Sequence, residues 1–585
     1  MASTVRIQRV SHTLAPYGKA GISQSMGLPG NSAPGHRVEL LSQADATSVR
    51  TKEAIKASSF RPESSLRLVV LVTMFVAAFC LRLYRIGEPL FDFVPVRQYH
   101  SALLARGFHE WLLTGNLKTM PPDGIIEPPI LEVLASLSYL ITGAEHLWIL
   151  RMLSAIFWMV GGVFLYLIAR KIFSSYAALF SVAFFLFDPA VVLPSRAFMP
   201  DPLMIMMLII SVFTILRYHE QPTVGRLMVA IAASSVALFV KPSICLFQIF
   251  GAFVVPMVYR RGLIRTMSSV HLLLFTLLSL LPMGLYYVYG TVIRGFLQGQ
   301  AQGKVVPHYL LEGYFWKGWL QQIDAMVGLL VFLGAVLGVI LLRPGLPRAL
   351  IAGMWGGYIL FGLVFTYHIH THDYYSLQFV PVIALSLGSL WDAIERHTAR
   401  PDRRYLRRTG LLGLIIFVVL SALVEQHSTI KGIANQASGE KPFPGRLKGT
   451  ALIADYQARA ETYKNIGDIV EHSSSTIYSA PDFGAPLRYY GRIDGEYWPT
   501  PGMLAWWRSR GRESKQLGGA SSRRELFDQW YSEASPEYFI VIRSEGWGDD
   551  RMLRRLLKRH FTKVKKNRYY LIFDLRHGDY RPRSG

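Results

Sequence analysis

The 585 residues are 51% hydrophobic and 13% aromatic but only 17% charged, a balance too apolar for an ordinary soluble enzyme. Lys and Arg outnumber Asp and Glu by 62 to 39, a formal charge of +23. In a soluble chain that excess would raise nucleic-acid binding, but much of it lies between apolar runs, where a membrane protein keeps its cytoplasmic charge, so no nucleic-acid partner is expected. The two cysteines, Cys80 and Cys245, both sit inside apolar runs, which excludes a disulfide framework or a CxxC metal site.

Residues 1–64 are polar, rich in Ser, Gly and Arg, and lack the apolar core of a signal peptide; they read as a disordered cytoplasmic tail. Arg50, Lys52, Lys56 and Arg61 precede the first apolar run, Leu66 to Leu83, so that span is expected to run outward. Further spans are predicted at about 149–169, 176–194, 203–217, 226–240, 243–259, 269–289, 326–342, 349–367, 376–392 and 409–424. With the first they make about 11 transmembrane helices, and the odd count leaves the carboxyl terminus outside. The run Ile130 to Ile141 is short for a span and contains Glu132, so it reads as an interfacial helix.

That choice places Arg170-Lys171, Arg217, Arg226, Arg260-Arg261-Arg265, Arg343, Arg348 and the Arg396 to Arg408 cluster in inner loops, as the positive-inside bias asks. Three outer segments remain: 84–148, 290–325 and 425–585. The last alternates short β-type runs, such as Tyr538 to Ile542 and Tyr569 to Phe573, with helix-type segments. The expected fold is therefore an α-helical polytopic membrane protein, with a transmembrane domain over 65–424 and a C-terminal extracytoplasmic α/β domain over 425–585.

Three carboxylates fall on the predicted outer face: Asp92 after the first span, Glu127 in Glu127-Pro128-Pro129, and Asp201 in Met199-Pro200-Asp201-Pro202. Ionisable groups at membrane depth are costly and mark functional paths or pairs. For Asp201 the plain alternative is an acid favoured by a helix N-terminus, for Glu127 a polar mark at the interface, and for Asp92 an ordinary loop acid. Glu127 is also a candidate ligand of a divalent metal ion, whose hard oxygen donors would offset substrate phosphate. Arg97, Arg106, Arg196 and Lys241 face the same way, and together these groups describe a pocket for an anionic lipid head group. In Tyr367-His368-Ile369-His370-Thr371-His372-Asp373-Tyr374-Tyr375, alternate histidines could hold zinc if the loop were extended. The preferred reading is that His372, Asp373 and Tyr374 line a polar substrate site.

The order of these motifs resembles the bacterial relatives of the dolichyl-phosphate-mannose protein mannosyltransferases, which include the aminoarabinose transferase of lipid A and carry the GT-C fold. The resemblance covers about 66–395 and rests on an Arg-Gln…Ala-Arg helix from Arg97 and Gln98 to Arg106, on Glu127-Pro128-Pro129, Ser195 to Pro202, Val240-Lys241-Pro242 and His372 to Tyr375. It implies a multi-pass enzyme of the plasma (inner) membrane that moves a sugar from a polyprenyl phosphate to an acceptor on the outer face, whether glycan, lipid or protein. It also implies a role in cell-envelope glycan or glycolipid synthesis, such as lipopolysaccharide or polysaccharide modification.

In that family an acid of the first outer loop is the base, a second-loop acid assists, and the Glu-Pro glutamate can bind metal. Glu127 and Asp201 match by motif. Where relatives place the first acid, this chain has Tyr99 and His100, which leaves the base open among Asp92, His100 and Asp123, with Asp92 preferred. Expected substrate-binding residues are Arg97, Gln98, His100, Arg106, Arg196, Lys241, His372, Asp373 and Tyr374. A transporter or flippase of lipid-linked sugars would need ionisable groups deep in several spans, which the sequence lacks, and a noncatalytic membrane assembly subunit would tolerate loss of all three acids.

Overall fold

A computed structural model of the chain describes residues 62–116, 127–298, 304–397, 451–508, 517–542, 547–548, 550–567 and 569–582. The expected N-terminal tail up to residue 61, Asp123, and the eleventh span at 409–424 lie outside the described residues. The apolar runs form helices α1 (Pro62–Leu83), α2 (Pro95–Thr114), α3 (Ile130–Thr142), α4 (Leu147–Ile172), α5 (Ser175–Phe187), α6 (Pro200–Glu220), α7 (Val224–Val240), α8 (Pro242–Arg261), α9 (Val270–Val288), α10 (Gly313–Val327), α11 (Leu329–Leu341), α12 (Leu346–Val364) and α13 (Val380–His397). Among the described residues seven helices are long and apolar enough to cross a bilayer, or nine if each of two bent pairs is one span. Of the predicted spans, 226–240 corresponds to α7, a helix of 17 residues, and α3 is a short helix of 13.

The bends have local causes. After α5 the chain turns by 59°, because Asp188 starts a new turn by accepting from Ala190 N at 3.1 Å and Pro189 cannot continue the ladder. Between α10 and α11 the angle is 90°; Gly328 sits at φ 78° there, and Asp324 Oδ1 accepts from Leu329 N at 2.9 Å. The span predicted at 326–342 is thus a 13-residue helix joined at right angles to α10. The sequence hid this because a glycine in an apolar run carries no hydropathy signal.

One close crossing sets the site. On α8 and α12 a Cβ at Gly251 would lie 2.0 Å from Gly353 O, and one at Gly357 would lie 2.4 Å from Gln248 Cα, so only glycine admits this approach. Gln248 Nε2 then reaches Gln378 O at 3.1 Å. This locks the helix that starts after Lys241 to the segment carrying Asp373 and Tyr374.

The C-terminal region adds α14 (Ala451–Ile469), β1 (Thr476–Ser479), α15 (Ala485–Gly491), β2 (Gly495–Tyr497), α16 (Arg523–Ala534), β3 (Tyr538–Ile542), α17 (Arg551–His560), β4 (Thr562–Lys566) and β5 (Tyr570–Asp574). Its five strands run in the order β2-β1-β3-β5-β4, parallel for β2, β1 and β3 and antiparallel from β3 to β5 to β4. The period-2 alternation of β-structure divides the core in two. Tyr478, Tyr538, Ile540, Ile542, Tyr570 and Ile572 face α14 and α15, and their cluster continues into Leu90, Phe91, Tyr99, Leu131 and Tyr139 beside α2 and α3. Ile477, Phe539, Val541, Leu571 and Phe573 face the other way, onto α16 and α17.

Candidate active site

Asp201 is fully buried in the first turn of α6. Pro200 opens that helix, a position where its missing N–H is no loss, and the helix dipole favours the acid. Lys241 closes α7 and precedes Pro242, the first residue of α8; a cation there complements the carboxyl end of α7. Lys241 Nζ donates to Asp201 Oδ1 and Oδ2 at 2.9 and 2.8 Å and lies 3.9 Å from Glu127 Oε1. Glu127 Oε2 accepts from Arg97 in the first turn of α2. The result is an alternating row, Arg97–Glu127–Lys241–Asp201. Over it lie the rings of Tyr374 and Tyr375, 5.1 and 5.3 Å from Lys241 Nζ, within cation–π range.

The charges tune one another. Burial alone would raise the Glu127 carboxyl, but Arg97 and Lys241 outweigh it and bring it down to about 2. Burial would likewise lower Arg97, and the facing Glu127 raises it instead. Burial and then the Arg97 charge push the His100 imidazole down to about 4, so it is neutral near pH 7.

Asp92 lies in an adjoining cluster. Its Oδ1 faces Arg151 at 2.9 Å and its Oδ2 faces Arg196 at 3.1 Å, while Gln98 Nε2 donates to Oδ1 at 3.2 Å. Burial pushes this carboxyl up, and the two arginines and Gln98 hold it below its ordinary value. Arg151 also donates to Ile86 O, Glu88 O and Pro89 O at 3.2, 2.6 and 3.1 Å, and Arg196 donates to Tyr84 O. The loop after α1 is therefore stapled by arginines. Gln98 braces the Asp92 loop further: its amide also donates to Phe93 O and its Oε1 accepts from Phe198 N at 3.0 Å. These bonds hold the turn where Val94 adopts φ 40°, a costly left-handed conformation for a β-branched residue.

The structure brings Arg97, Glu127, Asp201, Lys241 and Tyr374 together and sets Asp92, Gln98 and Arg196 beside them. Arg106 is elsewhere, donating through Nε to Glu145 at 3.0 Å and through Nη1 to Tyr489 O at 3.0 Å. Asp373 Oδ1 accepts from Tyr374 N at 2.7 Å. His372 packs against Tyr374 and Tyr375 at 5.5 and 5.8 Å. The extended histidine loop is corrected by a helix over Thr366–Thr371. There the alternate residues diverge: His368 lies 5.5 Å from His372, while His370 packs on Tyr309 and Phe315 at 5.4 and 5.5 Å.

Glu127 already faces two cations, and among the described residues no three His, Cys, Asp or Glu side chains gather into a metal-sized group. Sequence reading gave no site role to Arg151, Tyr375 or Glu132, whose Oε1 accepts from Ser101 at 2.6 Å. For Arg151 the signal was there: an arginine in the first turns of an apolar span needs counter-charge.

Residues 126–286 match the model of the family described as dolichyl-phosphate-mannose-protein mannosyltransferase. No curated protein matches the sequence. Among solved structures, ArnT from Cupriavidus metallidurans aligns with 14% identity over 88% of this chain and 98% of its own, with TM-scores of 0.54 for the apo state and 0.55 for the state bound to undecaprenyl phosphate. The archaeal oligosaccharyltransferase AglB from Archaeoglobus fulgidus, in complex with an inhibitory peptide and a dolichol-phosphate, aligns with 12% identity over 82% of this chain and 70% of its own, at a TM-score of 0.47. With a multi-pass bundle of the ArnT fold and that family match at its centre, the chain is similar to the membrane glycosyltransferases of the dolichyl-phosphate-mannose-protein mannosyltransferase type.

Proposed function

We propose that this protein transfers a sugar from a polyprenyl-phosphate donor to an acceptor hydroxyl on the extracytoplasmic face of the plasma (inner) membrane, with inversion, in the synthesis of cell-envelope glycan or glycolipid. The observation that carries the reading is the row Arg97–Glu127–Lys241–Asp201 at a buried junction of helix ends. The undecaprenyl phosphate named for the ArnT structure supports the donor class. The outer-face assignment draws on the basic residues at the opposite helix ends, where Lys171 pairs with Glu220 and Arg226 donates to Arg217 O.

In the proposed reaction the acceptor hydroxyl gives its proton to Asp201 and its oxygen attacks the anomeric carbon. The bond from that carbon to the phosphate oxygen breaks, and polyprenyl phosphate leaves with the electron pair. Its charge competes with the carboxylates for Lys241 and Arg97, so donor binding frees Asp201 as it assembles the anion site. Preorganised charge of this kind is a large catalytic term, and the Tyr374 hydroxyl is proposed to add a donor. His100, held neutral by its surroundings, and His372 are proposed to bind sugar or acceptor. Asp92, expected from the sequence as the base, is held between Arg151 and Arg196 beside the Lys241 row rather than in it, so the proton is proposed to pass to Asp201 and Asp92 to orient Arg196. No step is routed through a metal.

Lipid-linked sugar profiling of cells lacking the protein tests this reading. The expected result is an accumulated polyprenyl-phosphate sugar and a glycan lacking that sugar. Unchanged pools of both would overturn it.

A further inference from the structure

The distal layer of the C-terminal region carries a charge that the proposed reaction does not use. Helix α17 buries Leu553, Leu556 and Leu557 against the sheet and leaves Arg551, Arg555, Lys558 and Arg559 exposed. Its start is firmly built: Asp550 accepts from Leu553 N at 3.0 Å and from Trp498 Nε1 at 3.2 Å, and pairs with Arg523. The next strand, β4, is a sheet edge whose Lys563, Lys565 and Lys566 are all exposed. Lys563 and Lys566 pair with Phe573 and Leu571, strand residues of the α17 side, so they continue the surface of the helix. From residue 551 to 573 the sequence has no Asp or Glu. Lysines on an edge strand deter strand pairing, which accounts for β4 alone. The four exposed cations of α17 are left over.

Position narrows the partner. The sheet lies between α17 and the layer of α14 and α15, and that layer in turn packs on α2 and α3. The basic surface therefore faces away from the transmembrane helices, which disfavours the lipid head groups of the same bilayer. We infer that it binds an acidic polysaccharide, a chain of repeated carboxylate or phosphate groups, and so holds a growing or neighbouring glycan at the distal face of the protein. Guanidinium groups suit both anions, and α17 offers a surface about 15 Å long. The choice of a glycan rests on the proposed transferase reading; the charge and its placement do not.

The test uses the full chain in non-ionic detergent, with polygalacturonate as polyanion, dextran as neutral control and vesicles containing phosphatidylglycerol as the lipid alternative. Expected is binding to polygalacturonate and not to dextran, weakened by salt because the charges are exposed, and at least about tenfold weaker in Arg555→Gln/Lys558→Gln/Arg559→Gln. Lys563→Gln/Lys566→Gln, on the exposed edge, should also weaken it and decides the matter if the triple variant melts early. Wild-type affinity in both variants, or binding to the vesicles alone, would overturn the inference. Asp201→Asn should still bind polygalacturonate, which separates this test from failure of the proposed transfer.

Discussion

Lys241 reaches from the end of one transmembrane helix to donate to both carboxylate oxygens of Asp201, at 2.9 and 2.8 Å, in the first turn of another. Removing one member of a buried pair typically costs about 3–5 kcal/mol, because the other charge is stranded. Lys241→Met is therefore expected to lower the melting temperature in detergent, and Lys241→Met/Asp201→Asn to recover part of the loss. The readout is a double-mutant cycle, and additive effects would mean that the pair is not coupled.

Asp92 faces two arginines of unequal burial, Arg151 being the more enclosed. Asp92→Asn strips the counter-charge from both, whereas Arg196→Gln leaves Asp92 with Arg151. The former should melt at the lower temperature and the latter nearer wild type. The reverse order would contradict the stapled-loop description.

Glu132 supplies a pH signature. Burial is the main cause that pushes its carboxyl up to about 7, against the bond from Ser101. The folded state thus holds a proton between about pH 4.5 and 7 that the unfolded chain has released, so stability falls as pH rises through this window. Glu132→Gln should flatten that part of a melting-temperature profile, and an unchanged slope would show that another group carries it.

At the crossing of α8 and α12, Gly353→Leu must push backbone against backbone, since even a Cβ there would lie 2.1 Å from Gly251 O. Overpacking of this kind costs about 1–3 kcal/mol or more. Transfer should fall with it, because the crossing holds Lys241 against Tyr374. A control at Gly356, where no atom lies within 4 Å of an added Cβ, should leave both properties near wild type as Gly356→Ala.

Much of the membrane fold is legible in the sequence because apolar length is a direct physical demand of the bilayer. Asp201 and Lys241 are marked by the prolines beside them, which show where spans begin and therefore which face each charge reaches. The ion-pair partners are not so marked. Arg151 meets Asp92 only because the loop after α1 folds back across some 60 positions of sequence, and hydropathy cannot report such a long-range closure. The histidine segment was open to two forms: an extended loop would set its alternate rings on one side, but its flanking spans and local bonds, such as His370 Nδ1 to Thr366 O at 2.6 Å, make it a helix.

The most direct test of the proposed chemistry is sugar transfer from a polyprenyl-phosphate donor by membranes carrying Asp201→Asn, with folded protein matched to wild type. Loss of the base predicts a fall of about 10²- to 10⁴-fold, with donor binding retained through Arg97 and Lys241. Wild-type rates in both Asp201→Asn and Glu127→Gln would contradict the account.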